Sequence, residues 1–150
     1  MTNTIRLIIA GSRDFNNYKL LEKEVGAYLR EILKEECNLD LVTEGEGNWG
    51  WYNGEQQVEI LPPLEIVSGG ARGADRLGEK YARERNYHLK IFNADWEKNG
   101  RSAGYIRNEE MAKYANYCIC FNINRSKGSA HMESLAKKHS LGLKVINILL

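Results

Sequence analysis

The stretch Leu64-Glu65-Ile66-Val67-Ser68-Gly69-Gly70-Ala71-Arg72-Gly73-Ala74-Asp75 changes character twice within twelve residues. Its opening is apolar and β-branched, which reads as a short buried strand. Three glycines follow, and these let the backbone take positive φ and approach a ligand closely. From Ala74 the spacing turns helical, with Leu77, Tyr81 and Ala82 on one face. Asp75 falls in the first helical turn, where a carboxylate is favoured even without a function. A strand that passes through a glycine turn into a helix is half of a βαβ unit and predicts a parallel sheet. The turn is not a Walker A loop, because the Gly-Lys-Ser/Thr ending is missing, and it is not Gly-x-Gly-x-x-Gly. Amides at a helix start, with the donor fork of Arg72, attract an anion. Ser68, Gly69, Gly70, Ala71, Arg72, Gly73 and Asp75 are therefore candidate ligand-binding residues.

The same alternation runs along the whole chain. Strand-like runs fall at residues 5–10, 64–68, 88–92, 117–121 and 143–148, and helical spacing at 18–36, 74–86, 103–115 and 129–139. The prediction is an α/β fold with a mostly parallel five-stranded sheet and helices on both faces. Residues 38–63 interrupt it as an insert between the first helix and the second sheet strand. Within it, 39–44 and 56–60 are predicted to pair as a hairpin around a Gly-rich tip. With 150 residues, 1–150 is read as a single domain.

Lys plus Arg is 21 and Asp plus Glu 20, a net charge of +1 that argues against a basic nucleic-acid coat and an acidic tail. No apolar run nears the roughly 20 residues of a membrane span. Met1-Thr2-Asn3-Thr4 shows no basic segment ahead of an apolar one, so no secretory leader is expected. Cys37, Cys118 and Cys120 are an odd number, the latter two on one face of a predicted strand. They read as reduced thiols of a cytoplasmic protein, and no metal-ligand spacing accompanies them.

Every strand-to-helix connection is rich in Gly, Ser, Arg, Asp and Asn, and in a parallel sheet all of these loops share one rim. Gly11, Ser12 and Arg13 form the first, where Gly11 permits a sharp turn and Ser12 and Arg13 can reach a phosphate. On this loop alone, a plain turn with an exposed Arg that caps the first helix is the favoured reading. Further along, Asp95 can accept from a ribose or a base, Trp96 offers a flat face, and Arg107 and Asn108 open a helix. The competing reading makes Trp96 a packing cover and pairs Arg107 with Glu110. Ser126, Lys127, Gly128 and Ser129 form a second candidate anion nest. His131, just inside the next helix, reads by default as a cap or packing residue. Arg101 and Arg125 complete a basic rim suited to a phosphorylated ligand with a stackable base.

These motifs, in order from Gly11-Ser12-Arg13-Asp14-Phe15 through 68–75, 94–111 and Ser126–Met132, resemble the YspA/YpsA-related branch of the SLOG superfamily. The superfamily also holds the LOG phosphoribohydrolases and the Smf/DprA single-strand DNA-binding proteins. The resemblance implies a Rossmann-like three-layer sandwich that binds nucleotides or nucleotide-derived ligands, with 68–75 at the phosphate site. It also implies self-association, and a place in nucleotide signalling between phages and bacteria, where a phage-encoded copy would act as a sponge. LOG enzymes carry Pro-Gly-Gly-x-Gly-Thr-x-x-Glu, from which this chain departs.

Three functions follow as expectations. One is capture of a nucleotide derivative such as an ADP-ribose-type or cyclic nucleotide, with no cofactor required. Another is N-glycoside cleavage, for which Asp75, Asp95 and Glu109 are the candidate catalytic acids. The third is single-strand nucleic-acid binding on the basic rim, with Trp96, Trp49 and Trp51 as stacking faces, which the near-zero net charge disfavours. For Trp49, Trp51 and Tyr52 a contact surface and a hairpin packed on its own domain both stand.

Overall fold

The computed structural model describes residues 4–150; Met1–Asn3, part of the leaderless start expected above, lie outside the described residues. Five parallel strands form the main sheet: β1 (Ile5–Gly11), β5 (Leu64–Ser68), β6 (His88–Ile91), β7 (Tyr117–Ile123) and β8 (Gly142–Ile148). Their spatial order is β6-β5-β1-β7-β8, with the first strand of the sheet in the middle. This is the doubly wound, Rossmann-like arrangement, and all five predicted strands are present.

Alternation along β1 sorts its side chains between two layers. Leu7 and Ile9 face α1 (Tyr18–Cys37) and α2 (Ala74–Glu84), packing with Leu21, Val25, Ile32 and Tyr81. Ile8 and Ala10 face α4 (Ala103–Tyr114) and α5 (Lys127–Lys138), packing with Met111, Met132 and Ala136. Cys118 and Cys120 are fully buried in β7, share one face as expected, and are free thiols. Burial pushes the Cys120 thiol up to about 12 and Cys118 well above the ordinary range, so both sulfurs stay protonated and inert. The first helix is capped by Asn17, whose side chain accepts from the Leu20 N–H, rather than by the turn after β1.

The insert corrects the expectation. It is not a two-stranded hairpin around a loop but a three-stranded antiparallel meander of β2 (Asp40–Gly45), β3 (Asn48–Asn53) and β4 (Gln56–Val58). The supposed tip is the middle strand: Trp51 pairs with Leu41 on one side and Val58 on the other. Gly45 and Gly47 at φ 95° and 85°, and Gly54 at φ 64°, supply two tight turns where one loop was expected. Trp51 and Val58 pack on the α1 side of the core, while Trp49 is 60% exposed. No helix among the described residues is long and apolar enough to cross a membrane.

Candidate functional site

The strand order reverses between β1 and β7. The chain leaves β1 toward α1 on one face and leaves β7 toward α5 on the other, so a crevice opens at their carboxyl ends. A cleft of about 490 Å³ lies there, bringing together Gly11, Ser12, Arg13, Ala71, Arg72, Asp75, Arg107, Asn108, Ser126, Gly128 and Ser129. The three glycine-bearing turns thus converge on one space.

Ser12 ties that space together. Its N–H donates to the Phe121 carbonyl, its own carbonyl accepts from Ala74 N–H, and its Oγ accepts from Ile123 N–H at 2.8 Å. The same Oγ lies 3.0 Å from Ser126 Oγ, which in turn donates to Ser129 Oγ. Gly11 and Gly73 are required by this closeness, because a Cβ on Gly11 would strike the Phe121 carbonyl, and one on Gly73 the Ser12 and Arg13 carbonyls.

The Gly-rich turn spends amides that an anion was expected to use. Gly70 N–H donates to Ser68 Oγ and Ala71 N–H to Asp75 Oδ2 at 3.2 Å. Asp75 is 6% exposed, and burial raises its pKa to about 6 against the opposing pull of the Ala71 amide and Arg107. Arg107 donates to the Gly69 carbonyl and to Asn108 Oδ1, and does not take the expected partner Glu110. Burial lowers its pKa, Asp75 raises it, and the neighbouring charge of Arg13 lowers it again. Asn108 is held from its other end by His131 Nδ1 at 3.2 Å, and Tyr105 stands edge-on to that imidazole. Burial lowers the His131 pKa, so its neutral ring accepts from the Asn108 amide.

Free donors lie at the other turn. Helix α5 begins at Lys127 rather than Ser129, so the expected nest is a helix start. First-turn N–H groups have no acceptor within their own helix, and Gly128 leaves open space before them.

Other expected residues sit apart from the cleft. Lys127, Arg101 and Arg125 are exposed and do not line it. Asp95 caps the short α3 (Trp96–Asn99) by accepting from Lys98 N–H at 3.1 Å, and borders a shallow depression with Asn93 and Trp96. Glu109 accepts from His139 Nε2 at 3.0 Å and faces Lys138 on α5; His139 foremost holds its carboxyl below the usual range. As an acid for a ligand in the cleft it is out of place.

One residue the sequence reading missed is Glu79. It is fully buried, and its Oε2 accepts from Ser68 Oγ at 2.7 Å, which fixes the serine that holds the Gly70 amide. The signal was present: Glu79 follows Asp75 by four residues and shares its helix face with Ala82.

The fold and this rim define a Rossmann-like domain with glycine turns at the carboxyl edge of its sheet. Residues 55–99 match the model of the YspA, cpYpsA-related SLOG family. The chain is 39% identical over 90 residues to the Gene 61 protein of Mycobacterium phage D29, covering 56% of this chain and 70% of that one. It belongs to the YspA/cpYpsA-related SLOG family. A predicted subunit of tRNA methyltransferase from Methanocaldococcus jannaschii aligns over 95% of this chain and 67% of its own, at 10% identity and a TM-score of 0.37.

Proposed function

We propose that the chain binds the phosphate of a nucleotide or nucleotide-derived signal in the β1/β7 cleft, and senses or sequesters it. One observation carries the reading: Arg13, Arg72 and Arg107 and the first-turn amides of α5 border one cleft of about 490 Å³. Asp14, 3.9 Å from Arg72, and Asp75 beside Arg107 offset part of this charge, while Arg13 and Arg107 still oppose each other across a space that an anion would fill. Family membership supports nucleotide-related binding or processing. A similar protein is encoded by a Mycobacterium phage, a setting in which sequestration would act on a host signal.

Calorimetry against AMP, ADP-ribose, cyclic ADP-ribose isomers and cyclic dinucleotides tests this. Binding of at least one is expected, weakened about tenfold, or 1.4 kcal/mol, in Arg72→Ala. Absence of heat from all of them, well above micromolar protein, removes the proposal.

A second reading, cleavage of the base–ribose bond, is favoured by Asp75 alone, a carboxyl on the cleft wall with a pKa near 6. Adenine released from AMP by the native protein and lost in Asp75→Asn supports it; intact AMP after long incubation excludes it.

A further inference from the structure

The cleft does not end at its arginines. A second compartment of about 570 Å³ opens beside it, lined by Gly69, Gly70, Asn93, Ala94 and Trp96. The two spaces share Arg13, Ala71, Arg72 and Arg107, which stand at the divide and nowhere else along either lining. A mononucleotide carries its charge at one end. A dinucleotide carries it in the middle, between two nucleosides, and that is where the guanidinium groups lie.

The far ends have the complementary character. Trp96 is 53% exposed on a short helix, an apolar face left in water beside a cationic ridge. Stacking of a planar base would cover it. A Cβ on Gly104 would lie 3.6 Å from the edge of the Trp96 ring at Cη2 and 3.7 Å from Arg107 Nη2, so ring edge and guanidinium flank the same glycine. Beyond the arginines the first compartment is lined by Met111, Met132 and Ile123, by the Asn108 amide and by the start of α5. Gly69 and Gly70, on the wall of the second compartment, are packed too closely to carry side chains. A Cβ on Gly70 would lie 2.8 Å from Asn93 Oδ1, and one on Gly69 2.9 Å from Arg107 Nη1.

We propose that the two compartments form one site for a dinucleotide, two nucleosides joined by a diphosphate, with one base stacked on Trp96. This rests on the phosphate-binding reading of the cleft. The test is calorimetry of the intact chain with AMP and with diadenosine 5′,5′-diphosphate, in the native protein, Trp96→Ala and Trp96→Phe. The native protein is expected to prefer the dinucleotide by about tenfold or more. Trp96→Ala is expected to bring that ratio near one, and Trp96→Phe, which keeps an aromatic face, to preserve it. Equal native affinities overturn the two-compartment site while leaving the cleft reading intact. A ratio unmoved by Trp96→Ala also overturns it, since the second base then lies elsewhere. Binding of neither probe overturns the two-compartment site and leaves the cleft reading to the wider set of ligands named above.

Discussion

Asp75 sits under a loop whose amides it holds, and its proton is the residue-scale variable of this site. Burial lifts its pKa from 3.8 to about 6, so between those values the folded chain keeps a proton that the unfolded chain has lost. Stability therefore falls as pH rises through that window, by about 3 kcal/mol for two pKa units. Urea unfolding midpoints taken from pH 4 to 7 are expected to show this decline in the native protein and a flatter profile in Asp75→Asn. An equal slope in both would place the titrating group elsewhere. Ionised Asp75 also sets a negative charge on the cleft wall, so a phosphodiester ligand, which does not titrate here, is expected to bind more tightly below pH 6 than above it.

At the scale of elements, the meander separates two tryptophans that look alike in the sequence. Trp51 packs on the core layer beneath α1, whereas Trp49 is 60% exposed. Trp51→Ala is expected to cost about 3 kcal/mol of unfolding free energy and Trp49→Ala under about 0.5, read by chemical denaturation. Similar losses at both positions would contradict the packing. The sheet strands and four long helices were legible because each keeps one period long enough to declare a buried face. The meander was not, because Asn48–Asn53 is flanked by glycines that suit a loop tip as well as they suit two turns. At the site, the convergence of the glycine turns was legible from topology. The spending of the Gly70 and Ala71 amides on Ser68 and Asp75 was not, since it depends on how a loop folds back on itself. Glu109 was misplaced for a related reason: helical phase near Arg107 did not reveal that the end of α5 brings Lys138, and His139 just after it, to this carboxylate.

At the scale of the whole molecule, β1 and β7 carry both layers at once. Ile8, Ile9, Ile119 and Phe121 are wholly buried, while β8 is half-buried along most of its length. Native-state hydrogen exchange is expected to protect amides of β1, β5 and β7 most, and those of β8 and the meander least. Protection of β2–β4 equal to that of β1 would show that the insert and the main sheet open as one unit. The hub at Ser12 adds a mechanical corollary. A single small residue at the end of β1 is hydrogen-bonded to β7 at Phe121 and Ile123, to the first residue of α2 and to the serine that precedes α5. The rim is cross-braced like a keystone arch, so a ligand of the kind proposed above would be selected by its fit to a fixed aperture rather than by a rim that folds shut around it.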